Sequence, residues 1–565
     1  MPKVTINDRT VEVEAGTNVV EAGLKAGVLI PHYCYHPRLS VVGQCRMCLV
    51  KIEGMPKLQA GCSTQVMKDG MVVRTDVPEV EEATKGMMEF FLLNHPLDCP
   101  ICDQAGECGL QDYSFKHGVA YSRFQYEDKR TYPGRERIPL GPNVLLNMNR
   151  CIQCTRCIRF THEVAKTGEL GFFNRGARTE IGTFPGKELD NPLSTCVVDI
   201  CPVGALTSTR FRFAERVFYL DKRPSICTGC EVGCNVTVEH RRGDIKRYKP
   251  RFNPDVNDYW MCDHGRATFQ KYKQIPRLQT SRVRSASSHG TAGANGNGVV
   301  GTPTSWKEAL DTVFHKLQNP GGPVAFLGSP FLTCEEAYQF GKLADLLGSP
   351  HRSVPVDLGP EWKIPNLKGG IAGREAAPNR RGAELAGLAP GEAPGGTTLL
   401  DADELVLGDG ASRCGALVVC DSDFSQTAYA PETVEKLRKA PFLVVFGWAD
   451  SPLAQVADVA LPVATHAEKN GTFVNVEHRL QKFDRAFPAP GQVRPLVEVL
   501  SDLLSRFDPQ WANLQAPEVF DRLAAEVPAF AGLQWRRIPA TGTTLNVPGA
   551  RPDAVPGAET TKELV

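Results

Sequence analysis

Thiols crowd the first half of this chain. Sixteen of its nineteen cysteines lie before residue 263, and nine of those stand in Cys-x-x-Cys spacing. No other feature limits the fold as much. A long chain without a secretion signal does not organise itself on disulfides, and thiols at two-residue gaps read as metal or cluster ligands. The stretch His95-Pro-Leu-Asp-Cys-Pro-Ile-Cys-Asp-Gln-Ala-Gly-Glu-Cys108 places His95, Cys99, Cys102 and Cys108 within fourteen residues. Alone it is ambiguous between a closed tetrahedral zinc site and an iron–sulfur cluster with one imidazole ligand. The last three cysteines, Cys334, Cys414 and Cys420, stand apart and read as small buried hydrophobes.

The chain is too long for one hydrophobic core, so its 565 residues predict three or more domains. Lys+Arg and Asp+Glu are both 64. A nucleic-acid binder would show a basic excess, so no nucleic-acid partner is expected. No apolar run reaches the roughly 18 residues of a membrane span, and Met1-Pro-Lys-Val-Thr-Ile-Asn7 is not a signal region. A cytoplasmic protein that meets the membrane only through partners is expected.

Residues 3–14 alternate as a hairpin, with the turn at Asp8-Arg9. Asn18 opens a helix with Glu21 in a capping-box relation, and Gly27 ends it. Cys34, Cys45, Cys48 and Cys62 follow, with gaps of ten, two and thirteen residues. A hairpin, a helix and a cysteine-bearing loop are the layout of a plant-type ferredoxin holding a 2Fe-2S cluster. The first gap departs from that pattern's usual gap of about four residues. Gly43 suits a close backbone approach to the sulfurs. Zinc is the weaker alternative. Residues 79–94 read as a helix with a broad apolar surface of Met87, Met88, Phe90, Phe91, Leu92 and Leu93; Pro96 stops it and leaves His95 at its end.

Cys151, Cys154 and Cys157, then Cys201 before Pro202, follow bacterial ferredoxin grammar, in which the fourth cysteine of each run serves the other cluster. The first run has Thr161 at its fourth position. The second has Asn191, Ser194 and Val197 where three cysteines belong. One 4Fe-4S cluster survives, on Cys151, Cys154, Cys157 and Cys201, and the other is lost. Cys196 is out of register with both runs and reads as a buried spectator. Arg150, Arg156 and Arg159 flank the set, either as a solvated face or as charge that offsets an anionic cluster and raises its potential. Cys227, Cys230, Cys234 and Cys262 suit one more 4Fe-4S cluster, again with zinc as the weaker choice. Between them 235–240 and 244–248 read as paired strands around Arg242-Gly243.

Residues 281–305 are Ser/Gly/Ala/Asn-rich and read as a flexible linker or surface loop; 366–396 and 540–565 are Gly/Ala/Pro-rich, the latter a loose tail. Beyond the linker, strands at 324–327, 416–420 and 442–446 alternate with helices from Thr333 to about Leu347 and from Pro431 to Arg438. That alternation predicts a parallel sheet covered on both faces. Cys334 and Cys420 are expected to be packing residues there.

Taken in order, these ligand sets resemble the family of large iron–sulfur subunits (the G subunits) of bacterial respiratory NADH:quinone oxidoreductase, complex I. The most specific parts are Gly43-Gln-Cys-Arg-Met-Cys-Leu49, His95 to Cys108, Asn149-Arg-Cys-Ile-Gln-Cys-Thr-Arg-Cys157 and Asp199-Ile-Cys-Pro-Val-Gly-Ala205. From Cys227 onward the chain also resembles the molybdopterin oxidoreductase superfamily, in Ser305-Trp-Lys-Glu-Ala-Leu310, Asn379-Arg-Arg-Gly-Ala383, Ala457-Asp-Val-Ala-Leu-Pro462 and Glu468-Lys-Asn-Gly-Thr-Phe-Val-Asn475.

The resemblance implies an α+β and α/β multidomain fold. Its parts are a β-grasp 2Fe-2S ferredoxin-type domain (1–78), a 4Fe-4S domain with one His and three Cys ligands (79–119), a 4Fe-4S ferredoxin-like domain with one cluster lost (120–216) and a molybdopterin-type 4Fe-4S domain (217–273). A shortened molybdopterin-oxidoreductase-like α/β domain (274–540) and a flexible tail (541–565) follow. No cysteine lies between Cys334 and Cys414, so no molybdopterin is expected.

The implied function is electron transfer inside a proton-translocating complex on the cytoplasmic face of the inner membrane. Electrons would come from a flavin- and NADH-binding subunit, beside a 2Fe-2S partner subunit. They would visit the Cys34 set, the Cys151 set and then the His95 set, and leave for quinone-side 4Fe-4S subunits. The Cys227 set lies off that route. No catalytic residue is expected, because no dinucleotide fingerprint, nucleophile elbow or triad is present. An NAD(P)-linked iron-only hydrogenase or formate dehydrogenase shares the layout. Each would keep the second ferredoxin cluster and add a metal-binding cysteine group or a Cys on molybdenum.

Overall fold

In the computed structural model the described residues are 1–284, 301–355, 358–363, 372–391, 399–421 and 430–548. The expected linker, the 366–396 stretch and the tail lie partly outside them; the described ends of the linker instead join a sheet as Arg282–Val283 and Thr302–Pro303, and the start of the tail does so as Thr543–Thr544, with Leu545 buried in the core beside it. The described residues fall into two compact units, the first Met1–Leu220 and the second beginning at Asp221.

The first unit begins with the expected hairpin. Strands Lys3–Ile6 (β1) and Arg9–Glu12 (β2) pair antiparallel across Asn7, which takes a left-handed backbone (φ 56°). Helix α1, Val19–Lys25, starts where Asn18 accepts a hydrogen bond from the Glu21 N–H at 3.0 Å, and Gly27 (φ 70°) follows it. Strands Leu49–Ile52 (β3), Gln59–Ala60 (β4) and Met71–Arg74 (β5) complete a sheet in the order β2-β1-β5-β3-β4, with β1 and β5 parallel. Val4, Ile6, Val50 and Val73 of the sheet bury against Val19, Val20 and Ala22 of the helix, and Cys48 and Cys62 belong to the same core. Each aliphatic side chain so buried contributes about 1.5–3 kcal/mol.

Helix α2 runs Pro78–Leu93. The Lys129 ammonium donates to the carbonyls of Leu92 and Leu93, both at 2.9 Å, and so satisfies acceptors left open at its C-terminus. The apolar surface expected of this helix is divided: Met88 is fully buried while Phe90 is 71% exposed. Residues two apart point to opposite sides of a helix, so a continuous apolar run cannot share one face. Helix α3 covers Gly109–His117, α4 Arg156–Glu163 and α5 Cys196–Asp199. Strands Val144–Leu146 (β6) and Leu206–Ser208 (β7) pair antiparallel and bring the Cys151 run beside Cys201.

The second unit opens with an antiparallel sheet of Asp221–Ile226 (β8), Asn235–Arg241 (β9) and Asp244–Pro250 (β10). Pairing of β9 with β10 agrees with the sequence. Strand β8 escapes it because its first four residues, Asp-Lys-Arg-Pro, are all exposed and carry no alternation. Helix α6, Asp263–Ala267, follows Cys262.

A seven-stranded sheet comes next, built from Arg282–Val283 (β11), Thr302–Pro303 (β12), Val324–Leu327 (β13), Arg352–Ser353 (β14), Ala416–Asp421 (β15), Leu443–Gly447 (β16) and Val459–Pro462 (β17). Its order is β12-β11-β17-β16-β15-β13-β14. The five strands from β17 to β14 are parallel, whereas β11 and β12 add antiparallel, so the expected parallel sheet is mixed at one edge. Both faces are covered. Phe326, Val418 and Val444 pack with helices Trp306–Gln318 (α7) and Cys334–Leu346 (α8). Ala325, Leu417 and Val445 pack on the other side with Pro431–Leu437 (α9). Helix α8 carries the expected capping box between Thr333 and Glu336. Among the described residues no helix is long and apolar enough to cross a membrane.

Candidate metal centres

None of the nineteen cysteines forms a disulfide. Cys34, Cys45, Cys48 and Cys62 are buried, and the loop between α1 and β3 carries three of them. The Cys34 N–H donates to Cys45 Sγ at 3.4 Å and the Cys62 N–H to Cys48 Sγ at 3.5 Å. The thiols also bond one another, Cys34 with Cys45 and Cys62, and Cys48 with Cys62. This sharing pulls Cys34 and Cys48 below the usual thiol range and pushes Cys45 and Cys62 above it. Gly43 (φ 58°) and Arg46 (φ 54°) turn the loop through left-handed backbone. A Cβ on Gly43 would meet nothing within 4 Å, so its conformation, rather than the expected close approach, calls for glycine here.

The second set hangs on the end of α2 and the start of α3. Cys99 begins a tight turn to Ile101, the Cys102 N–H donates back to the Cys99 carbonyl at 3.3 Å, and Cys108 caps α3. His95, Cys99 and Cys108 line one cavity of about 820 Å³. Cys102 does not line it but lies close enough to Cys99 and Cys108 for their charges to interact. Burial, helped by the charges of Arg150 and Lys129, lowers the His95 imidazole to about 4, which keeps it neutral as a metal ligand requires. Burial pushes the Cys108 thiol up to about 11. Cys99 is exposed.

The third set closes on itself. Cys151, Cys154, Cys157 and Cys201 all line one small cavity with Leu146, Ile152, Ile181 and Leu206. Gln153 (φ 53°) and Thr155 (φ 63°) are left-handed, which wraps the Cys-x-x-Cys-x-x-Cys loop; the Gln153 N–H donates to Cys151 Sγ at 3.3 Å. Burial raises all four thiols. Cys196 is fully buried at the start of α5 and is absent from the lining of that cavity. Cys196→Ala is therefore expected to leave every cluster signal in place by electron paramagnetic resonance. Disappearance of a 4Fe-4S signal would contradict this.

In the second unit Cys227, Cys230, Cys234 and Cys262 are buried and interact electrostatically as a group. The Gly229 N–H donates to Cys227 Sγ at 3.4 Å and the Gly265 N–H to Cys262 Sγ at 3.3 Å. A Cβ on Gly265 would lie 2.9 Å from Cys227 Sγ, so glycine admits the backbone to the sulfurs.

Among the described residues no three His, Cys, Asp or Glu side chains are gathered around a single-ion site. Each set offers thiols with backbone N–H groups or buried surroundings, a donor chemistry that fits iron–sulfur clusters. Cys334 and Cys420 are fully buried in the core of the seven-stranded sheet, as expected of packing residues.

Gly204 and Arg216 carry no local signal in the sequence. Gly204 approaches Cys102 so closely that a Cβ there would lie 2.1 Å from Cys102 Sγ. The Arg216 guanidinium donates to the carbonyls of Pro100 (2.7 Å), Cys102 (3.4 Å) and Cys99 (3.0 Å), fixing the second set's turn. Arg150 and Arg159 are buried, not a solvated face, and Arg150 pairs with Asp98 at 2.8 Å. Arg159 joins carbonyls of the first and third sets, Cys34 and Cys154. Arg150, Arg156 and Arg159 beside the Cys-x-x-Cys run are the sequence hint of this.

Five protein-family profiles match in succession: a 2Fe-2S iron-sulfur cluster binding domain (2–78), an NADH-ubiquinone oxidoreductase-G iron-sulfur binding region (85–123), the ferredoxin-like domain of NADH-quinone oxidoreductase subunit 3 (141–207), an NADH-ubiquinone oxidoreductase 4Fe-4S domain (221–270) and molybdopterin oxidoreductase (407–506). The G subunit of NADH-quinone oxidoreductase from Rickettsia felis is 31% identical over 94% of this chain and 92% of its own length. The Streptomyces coelicolor protein of that name is 40% identical over 60% of this chain and 39% of its own length. The mitochondrial NADH-ubiquinone oxidoreductase 78 kDa subunit of Neurospora crassa is 39% identical over 63% of this chain and 46% of its own. This chain thus spans less than half of the latter two relatives.

Proposed function

Because the chain belongs to the family of NADH-quinone oxidoreductase G subunits, iron–sulfur electron-transfer subunits of complex I, we propose that it relays electrons through one 2Fe-2S and three 4Fe-4S clusters. The 2Fe-2S cluster sits on Cys34, Cys45, Cys48 and Cys62. The 4Fe-4S clusters sit on His95, Cys99, Cys102 and Cys108; on Cys151, Cys154, Cys157 and Cys201; and on Cys227, Cys230, Cys234 and Cys262. When bound, these groups supply one-electron steps in the order first, third, second set. The observation that supports this order is the contact pattern. Arg159 bonds both Cys34 and Cys154 carbonyls, and the Cys108 thiol reaches the carbonyl of Pro202, next to Cys201, at 3.8 Å. The third set therefore touches both others, although the His95 set comes second in the sequence.

The chain's own residues hold, insulate and orient. The N–H groups at Cys34, Cys62, Gln153, Gly229 and Gly265 face sulfur, and the apolar lining of the third set keeps water out. No residue is assigned to substrate chemistry, and no molybdopterin is assigned to the second unit. The partners are a flavin- and NADH-binding subunit, a 2Fe-2S subunit and quinone-side 4Fe-4S subunits. The site of action is the cytoplasmic face of the inner membrane, held there by those partners.

The test is affinity purification from the native membrane followed by NADH addition. Co-purifying flavoprotein and quinone-side subunits, with NADH-dependent bleaching of cluster absorbance, support the proposal; a hydrogen-activating or formate-oxidising partner instead would overturn it. His95→Cys is expected to lower the potential of the second centre, because a thiolate adds negative charge where neutral imidazole had none. An unchanged potential in a redox titration would show that His95 is not a ligand.

A further inference from the structure

Two arginines of α4 stand where the first and third thiol sets meet, and among the described residues neither bonds a carboxylate. Arg159 is 7% exposed. Its Nε–H donates to Thr155 Oγ1 at 3.1 Å, and its terminal nitrogens donate to the carbonyls of Ser40 and Cys34, both at 2.5 Å, and of Cys154 at 3.3 Å. Arg156 donates to the carbonyls of Tyr35 at 2.5 Å and Ile200 at 3.2 Å, each next to a ligand of a different set, Cys34 and Cys201. Every acceptor is neutral. The junction of the second and third sets differs, because there buried Arg150 has Asp98.

A buried guanidinium surrounded only by neutral oxygens is costly unless an anion lies nearby. On the reading given under Proposed function, that anion is present on both sides, since thiolate-ligated clusters carry negative charge. Reduction adds more, so a fixed cation favours the reduced state. Two of the three carbonyls bound by Arg159, those of Cys34 and Cys154, belong to ligand residues, so the same guanidinium also fixes their backbone.

We propose that Arg159 is a positioning residue shared by two centres. Its guanidinium, bonded to the carbonyls of Cys34 and Cys154, takes its counter-charge from the clusters on either side and holds both their potentials up. Lysine is not equivalent here: it keeps the charge but lacks the planar guanidinium, of which one terminal nitrogen donates to the Cys34 and Cys154 carbonyls while the other and the Nε–H are held by Ser40 and Thr155.

The test is a potentiometric titration of the assembled complex, followed by electron paramagnetic resonance of both centres. Both signals in the wild type support the cluster reading; absence of either would sink that reading and this proposal with it, whereas the midpoints of the variants below bear on this proposal alone. In Arg159→Gln both signals persist and both midpoints fall, by enough to change the reduced-to-oxidised ratio about tenfold at fixed potential. Arg159→Lys gives a smaller fall at both centres, and it decides the matter if Arg159→Gln does not assemble. Ser40→Ala, which removes only the hydroxyl contact to Glu163 across the same junction, leaves both midpoints alone. Wild-type midpoints in the arginine variants, a fall at one centre only, or an equal fall in Ser40→Ala would overturn the proposal.

Discussion

Gly204→Ala is expected to cost the second centre its cluster, although Gly204 is no ligand and lies ninety-six residues beyond Cys108. The added Cβ would stand 2.1 Å from Cys102 Sγ and 3.2 Å from Gln104 Cβ. Cys102 has little room to retreat. Its carbonyl and those of Cys99 and Pro100 are held by Arg216, and its N–H is held by Cys99. Overpacking a rigid site costs about 1–3 kcal/mol. Here the cost falls on the one thiol that must keep its place. The electron paramagnetic resonance signal of the His95-type centre should fall to a small fraction while the signals of the first and fourth sets stay. A full complement of signals in Gly204→Ala would mean that Cys102 does not hold iron.

Lys469→Met is expected to destabilise the second unit by about 3–5 kcal/mol. The Lys469 ammonium donates to both carboxylate oxygens of Glu336, at 2.9 and 2.7 Å, and the two residues are 5% and 0% exposed. Glu336 also accepts from the Thr333 N–H at 2.9 Å, as the capping box of α8. Removing the lysine strands a buried carboxylate that cannot reach water, at a helix start that depends on it. The exposed pair Lys439–Asp409, at 3.1 Å, is the contrast. Breaking it should cost no more than about 1 kcal/mol. Chemical denaturation of the chain measures both. A loss under about 1 kcal/mol for Lys469→Met, or no recovery when Glu336→Gln is added to it, would contradict the burial argument.

These two residues show where sequence reasoning reaches and where it stops. The motif 468–475 is legible as a mark of the molybdopterin oxidoreductase superfamily, yet its side chains are engaged within the chain. Glu468 pairs with Arg277, Lys469 with Glu336, and Thr472 donates to Glu335. Burial lifts the Glu335 carboxyl to about 7. The motif shows the fold, and its side chains make internal contacts. The hairpin of β1 and β2, the capping residues of α1 and α8 and the packed cysteines are legible because each is set by neighbours within a few residues. Gly204, Arg216 and Arg159 act across more than ninety residues; Arg159 is marked by its place beside the Cys151 run, but nothing nearby in the sequence marks the distant partners of any of the three. Strand β8 and the antiparallel edge of the large sheet are missed for a related reason. An edge strand with exposed side chains has no alternation to read, and its pairing comes from the sheet it joins.

The metal and sulfide content of the purified chain bears most directly on the electron-transfer role. Iron and acid-labile sulfide in equal amounts, without stoichiometric zinc, and with both 2Fe-2S and 4Fe-4S signatures on reduction, are the predicted result. Zinc bound to the same thiols with no sulfide would contradict it, and with it the electron-transfer role.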